Sequence, residues 1–262
     1  LIPLLVRKLF ERPLLQWILG LGEPPVKRPE ARHVYLRPLR FSTGVRGLDG
    51  LLGGGVEVGS ITELIGEFGA GKTQVCHQLA VMVQLPRGSG GLGARALYVD
   101  TEGTFRPERI VQIARHRGLD PEQALENIVY ARAYNSDHLA ALLRSASEEA
   151  LRRNIGLVVV DEVSGLPRRE EKRSERVRAF HSVVAGLRAL AALGVAVVAS
   201  RQVVFAGDEL APAGGAALDS YAHRSLFLKK RGESLVTVEV IDELGLGRSS
   251  SFYITEEGVV DA

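Results

Sequence analysis

Along most of the chain, short continuous apolar runs alternate with longer segments whose apolar positions recur every three or four residues. Ile61-Thr62-Glu63-Leu64-Ile65 is one such run, and Ala96–Asp100, Asn127–Tyr130, Leu157–Asp161 and Val195–Ser200 are others. Runs of this kind predict strands buried on both faces, as in a parallel sheet. The segments between them, Arg106–Arg117, Ser136–Arg153 and Glu175–Leu193, are predicted helices. In the last of these, Val177, Phe180, Val184, Leu187 and Leu190 fall at helical spacing and predict one buried stripe. Near the end, Leu226-Phe227-Leu228 and Leu235–Ile241 flank Arg231-Gly232-Glu233, which predicts antiparallel strands with a turn. The fold expected is α/β: a mostly parallel sheet with helices on both faces and antiparallel C-terminal strands.

The first 40 positions read differently. Leu1–Gly20 is apolar, but Arg7, Lys8, Glu11 and Arg12 interrupt it well short of the ~20 apolar residues of a membrane span. A signal peptide would carry its charge ahead of the apolar run rather than inside it. The segment predicts a short amphipathic helix, and Pro24–Pro38 an extended linker. The organisation expected is therefore residues 1–40 as helical segment and linker, and 41–262 as one domain without membrane association.

Composition narrows the chemistry. With 45% hydrophobic and 24% charged residues in 262, the chain has the balance of a globular protein able to bury a sizeable core. Its one cysteine, Cys76, excludes an internal disulfide and a cysteine metal cluster, and fits a cytoplasmic protein. The six histidines show no HExxH spacing, which excludes a zinc hydrolase of that kind. Basic residues number 33 against 31 acidic, so nucleic-acid contact has to come from local patches.

One motif dominates. Gly66-Glu67-Phe68-Gly69-Ala70-Gly71-Lys72-Thr73 matches GxxxxGK[ST] and lies between a predicted strand and a predicted helix. Glycines let successive backbone N–H groups turn inward around phosphates, and the helix N-terminus adds its dipole. Lys72 is placed to reach the terminal phosphates of ATP, and the Thr73 hydroxyl to ligate Mg²⁺. Asp161 ends an apolar run and is the candidate second magnesium carboxylate, acting through water. Glu102 and Glu162 also stand at strand ends, and either is a candidate to polarise the attacking water.

Beyond the motif, several stretches resemble the archaeal RadA recombinases of the RecA superfamily. They are Gly66–Gln74, Asp100-Thr-Glu-Gly-Thr-Phe-Arg-Pro-Glu-Arg-Ile110, Leu51–Gly55, Ala131–Ser136 and Ile254–Gly258. The resemblance implies a RecA-like P-loop NTPase core that binds ATP between protomers, hydrolyses it slowly and assembles on single-stranded DNA during recombination and repair. It implies that Glu102 is the water-polarising acid, that Gln202 senses the γ-phosphate, and that Gln74 and Arg106 belong to the nucleotide site, Arg106 over the adenine.

Departures from that family shape the expectation further. No helix-hairpin-helix domain is found ahead of the core, and the linker holds no Phe-x-x-Ala polymerisation motif. Both DNA loops look shorter than the family's: Leu166–Arg178 for the first and Gln202–Gly215 for the second. The family's Asn before the sensor Gln is Arg201 here, its His after the paired glycines is Ser220, and its Asp-x-Pro cap is Asp242-Glu243-Leu244. These features point to a RadB-like paralog that modulates the recombinase. The stretch Arg168–Arg178 holds six basic and three acidic residues, so Arg168, Arg169, Lys172, Arg173 and Arg176, with Arg201, are the candidate DNA-contacting cations. No aromatic accompanies the stretch, so contact is expected through phosphates. Homo-oligomers or assembly with a RadA-type recombinase are the expected associations. The competing expectation is an ATP-binding assembly factor that locks a protein interface with little DNA-dependent hydrolysis.

Overall fold

The computed structural model describes residues 38–262 except 207, 208, 216, 217, 219 and 242–246. These residues belong to one compact unit, Pro38–Ala262. The expected N-terminal helix, most of the linker and Asp242-Glu243-Leu244 lie outside them.

Each apolar run becomes a strand. β3 (Ile61–Gly66), β4 (Arg95–Asp100), β5 (Ile128–Arg132), β6 (Ile155–Asp161) and β7 (Ala196–Ala206) pair in parallel. A small antiparallel pair, β1 (Arg40–Phe41) and β2 (Val56–Glu57), precedes them. β8 (Glu209–Pro212) folds back on β7, and β9 (Arg224–Lys230), β10 (Leu235–Ile241), β11 (Gly247–Thr255) and β12 (Gly258–Asp261) complete the large sheet. The strand order is β12-β11-β10-β9-β3-β7-β6-β4-β5, with β8 off β7.

Alternate residues of the central strands face opposite layers. On one face, Leu157 and Val159 of β6 pack with Val75 and Leu79 of α2 (Lys72–Met82) and with Ile110 and Ile113 of α3 (Pro107–His116). On the other, Val158 and Val160 pack with Leu139 and Leu143 of α5 (Ser136–Glu149) and with Val183 and Leu187 of α7 (Arg173–Ala192). The remaining helices, α1 (Arg46–Leu51), α4 (Pro121–Glu126) and α6 (Gly165–Arg168), are short. This is the α/β arrangement expected, with three local differences. Val177 is 43% exposed, and the buried stripe of α7 starts at Phe180 and includes Val183. The Leu226–Leu228 strand is antiparallel to β10 but also parallel to β3, which makes it part of the central sheet. The strand expected over Val195–Ser200 continues to Ala206, because β8 supplies a hydrogen-bonding partner beyond it.

Topology places the site. From β3 the chain crosses through α2 to β4, leaving room for β7 and β6 between them. The carboxyl ends of these parallel strands share one edge of the sheet, and a crevice opens there where the connections part.

Candidate nucleotide and catalytic site

The phosphate loop follows from its residue types. Gly69 and Gly71 adopt φ of +77° and +95°, the left-handed region that a side chain disfavours. A Cβ on Gly66 would sit 2.5 Å from the Leu228 carbonyl oxygen, so the loop's close approach to β9 requires glycine. The loop feeds α2, whose first N–H groups lack intrahelical partners and point toward the turn. Lys72 is buried and its Nζ donates to the Gly66 and Glu67 carbonyls, each at 2.8 Å. Burial pulls its pKa below the usual 10.5, opposed by the nearby carboxylates of Asp161, Glu162 and Glu102.

A cavity of about 260 Å³ opens over this loop. Gly69, Lys72, Thr73 and Gln74 line one side of it, and Glu102, Thr104 and Asp161 another. Ser200, Gln202 and Ile254 close the remainder, and Phe68, 87% exposed, stands at the mouth. Strand β11 brings Ile254 so close that a Cβ on Gly71 would lie 2.9 Å from its Cδ1. This apolar wall is not legible in the sequence, since its residue lies 183 positions downstream of Gly71.

The acids divide by environment. Asp161 is buried and receives the Tyr98 hydroxyl at 2.8 Å, the Thr104 hydroxyl at 3.3 Å and the Ser200 hydroxyl. Such a carboxylate is held in one orientation beside Thr73. Glu102 faces the cavity, and its Oε1 accepts from Gln202 Nε2 at 2.8 Å. Burial raises its pKa above the ordinary 4.5, reinforced by Glu162 and Asp161 and opposed by Lys72. Glu162 is buried and points away from the cavity, accepting from Ser164 and from the Gln202 backbone. Of the two candidate bases, only Glu102 lines the cavity.

Two groups to which the sequence assigns no role hold this arrangement. Asp100 accepts the N–H groups of Glu102 at 2.9 Å, Gly103 at 2.6 Å and Phe105 at 3.1 Å, and is paired with Arg132 at 2.8 Å. It therefore fixes the loop that carries Glu102. His77 lies 2.7 Å from the Thr73 carbonyl through Nδ1 and accepts the Arg106 N–H at 3.0 Å through Nε2. Burial holds its pKa below 6.5, so the ring is neutral, and its bonds assign the proton to Nδ1. His77 thereby ties the start of α2 to the start of α3.

Other expected residues are placed as follows. Ala70 is buried and Glu67 exposed, both in the loop but neither lining the cavity. Gln74 accepts from Arg109 at 2.7 Å. Arg106 is exposed, with its guanidinium folded on the Gly103 and Phe105 carbonyls at 3.0 and 2.9 Å, outside the cavity lining. Among the described residues no cluster of three or more His, Cys, Asp or Glu forms a metal cage. A Mg²⁺ held by Thr73, phosphate oxygens and water needs none, and the fixed Asp161 carboxylate fits its outer shell.

The segment expected to be the first DNA loop is mostly helical: α6 ends at Arg168 and α7 begins at Arg173. Arg169, Lys172, Arg173 and Arg176 are exposed and Arg168 is half-buried. Lys172 pairs with Glu175 at 3.1 Å and Arg176 donates to the Glu170 carbonyl at 3.0 Å. Arg169 and Arg173 have no ion-pair partner among the described residues.

Arg201 lies elsewhere than expected. Expected among the DNA-contacting cations, it is 1% exposed and faces inward. Its guanidinium meets Glu63 at 3.2 Å and donates to the carbonyls of Ala213 at 2.5 Å, Leu218 at 2.8 Å and Pro212 at 3.3 Å. The planar fork satisfies several carbonyls at once. Arg201 thus anchors the far end of the second loop on β3. Arg201→Met would leave Glu63 buried without its counter-charge and should cost about 3–5 kcal/mol. In a domain of this size that lowers Tm by roughly 10 °C. A calorimetric shift under about 2 °C would contradict the anchoring role.

The pattern of the Rad51 family matches residues 36–262. The chain is 42% identical over 240 residues to the DNA repair protein RAD51 homolog B of Zea mays, covering 86% of this chain and 71% of that one. It is 44% identical over 233 residues to the DNA repair and recombination protein RadA of Aeropyrum pernix, covering 85% and 73%. It is 44% identical over 235 residues to the DNA repair protein RAD51 of Saccharomyces cerevisiae, covering 84% of this chain and 59% of that protein. With the phosphate loop, the strand-end acids and the RecA-like sheet on the same 227-residue stretch, the chain belongs to the Rad51 family.

Proposed function

We propose that this protein is an ATP-dependent, DNA-binding recombinase paralog of the RadB kind, acting on single-stranded DNA in homologous recombination and repair. The observation that supports this most is the Glu102–Gln202 bond across the cavity that Lys72, Thr73 and Asp161 line. It joins a candidate base to the residue from which the second loop departs. The names of the relatives, repair and recombination proteins, agree with it.

In this reading the loop N–H groups and Lys72 take the phosphates of ATP, Lys72 exchanging the Gly66 and Glu67 carbonyls for phosphate oxygens. Thr73 and, through water, Asp161 would hold Mg²⁺, which would supply charge neutralisation to the phosphates. Glu102 takes the proton of the attacking water. Gln202, released from Glu102, turns toward the γ-phosphate and carries nucleotide state into the second loop.

The DNA surface is proposed at the start of α7. Cations there oppose the helix dipole and so do little for folding, whereas the helix end and its arginines together favour an anion. DNA affinity should fall steeply with salt. Replacing Arg169 and Arg173 by Ala should flatten the slope of log K against log salt by about 0.7 for each phosphate that is no longer neutralised. Fluorescence anisotropy with labelled single-stranded DNA reads this, and an unchanged slope would move the DNA surface elsewhere. The paralog reading also predicts no robust three-strand exchange by this protein alone. Its second loop is short, and residues 203–206 and 209–212 are folded into the β7–β8 ribbon rather than free to reach DNA.

A second reading, an ATP-binding assembly factor, is favoured by one observation. Among the described residues β5 pairs only with β4, and a largely apolar pocket of about 230 Å³, lined by Leu97, Val129, Ala131 and Leu142 and also by the Glu149–Arg153 ion pair, stands beside it. An open edge next to an apolar pocket suits an added protein segment, from a second copy or a recombinase partner. Under this reading ATP turnover would not respond to DNA. Among the described residues no helix is long and apolar enough to cross a membrane.

A further inference from the structure

Glu162 stands where the first basic loop, the second loop and the Glu102–Gln202 pair meet. It is 1% exposed and does not line the nucleotide cavity. Its Oε1 accepts the Ser164 N–H at 3.0 Å, the Ser164 hydroxyl, and the Gln202 N–H at 3.2 Å. Ser164 immediately precedes α6, at the root of the basic loop, and Gln202 lies in β7 where the second loop leaves. On the backbone side, the Glu162 N–H donates to the Thr101 hydroxyl oxygen at 2.9 Å, and that hydroxyl donates to the Glu162 carbonyl at 2.7 Å. Thr101 directly precedes Glu102. Glu162 is therefore bonded to the chain on both sides of the catalytic pair.

Its second carboxylate oxygen has the opposite surroundings. Oε2 is buried and has no hydrogen-bond partner among the described residues. The space beside it is kept open by Gly165, on which a Cβ would lie 2.8 Å from Oε2. A buried carboxylate oxygen without a donor is costly, so any arrangement of the α6 turn that brings a donor to Oε2 is stabilised by this side chain. Such a movement of the turn carries Ser164, which immediately precedes α6, and so alters the donors that share Oε1 with Gln202. Two arrangements of one buried group, each biased by a different neighbour, are what coupling between sites requires.

We propose that Glu162 is a positioning residue that couples the state of the basic first loop to the Gln202–Glu102 pair. The inference rests on reading the site as a DNA-stimulated ATPase. Three variants test it. Gly165→Ala pushes a methyl group against the carboxylate without touching the cavity. Glu162→Ala removes the carboxylate, and Glu162→Gln keeps an acceptor in the position of Oε1.

ATP turnover with and without single-stranded DNA gives the stimulation ratio of each variant. Tryptic cleavage at Arg169 and Arg173, with and without a non-hydrolysable ATP analogue, reports the loop independently of DNA. The stimulation ratio should fall at least about fivefold in Gly165→Ala and Glu162→Ala, while Glu162→Gln keeps more than about half of it. The nucleotide-dependent change in cleavage should vanish in the first two variants. Unchanged ratios with the cleavage response retained would overturn the coupling and leave the ATPase reading intact. If the wild-type protein is not stimulated by DNA, the DNA-dependent reading fails. Cleavage then decides on Glu162: a nucleotide response kept in Glu162→Ala refutes the coupling, and its disappearance upholds it.

Discussion

Lys72→Ala should abolish measurable ATP turnover, with a loss of at least about 10²-fold, the scale on which removing one oriented donor to a developing anion acts. Lys72 spans the phosphate loop, donating to the carbonyls of Gly66 and Glu67 at 2.8 Å each. Burial lowers its pKa, and Asp161, Glu162 and Glu102 around it act the other way, favouring the ammonium. Loss of the side chain leaves the two glycines at positive φ and the N-terminus of α2 in place, so the fold should persist. Circular dichroism and thermal melting establish the fold, and coupled-assay turnover reads the site. Near wild-type turnover in a folded Lys72→Ala sample would remove the phosphate site from this loop.

Glu102→Gln should lower turnover by about 10²-fold or more while ATP still binds, as loss of a general base does. The amide oxygen of the new side chain can still accept from Gln202, so the variant removes the proton acceptor and keeps the hydrogen bond. The pH profile offers an independent reading. Burial, then the charges of Glu162 and Asp161, raise the Glu102 pKa above 4.5. Protonation on acidification therefore begins at a higher pH than for an unperturbed Glu, and a protonated Glu102 cannot accept the water's proton. The acidic limb of kcat/KM, which reports the free enzyme, should lie above pH 4.5 and disappear in Glu102→Gln. If Glu162→Gln alone stopped basal turnover while Glu102→Gln retained it, the two acids would have to exchange roles.

What is legible in the sequence is what short-range pattern encodes. The phosphate loop is contiguous, and its glycine, lysine and threonine types state their own chemistry. Asp161 and Glu102 follow apolar runs, so their place at the strand ends is readable from the runs. Orientation is not readable. Nothing in sequence spacing says that Glu162 turns inward toward Ser164 while Glu102 turns to Gln202. Asp100 looks like a strand terminus, yet it is the acceptor that shapes the Glu102 loop, since its partner Arg132 comes from the neighbouring strand. Arg201 misleads because an arginine next to an expected DNA loop is usually solvated. Here its buried partner Glu63 lies 138 positions upstream. The β7–β8 ribbon is hidden because Ser200-Arg201-Gln202 interrupts the apolar run, and the return at Val203-Val204-Phe205-Ala206 does not show which segment it pairs with.

ATP turnover by the wild-type protein, measured at saturating ATP and Mg²⁺ without and with single-stranded DNA, tests the central claim most directly. A DNA-dependent ATPase paralog should show slow basal turnover that single-stranded DNA raises several-fold, with the increase fading as salt releases the strand. Turnover that is present but indifferent to DNA at low salt would contradict that account and favour the assembly-factor reading.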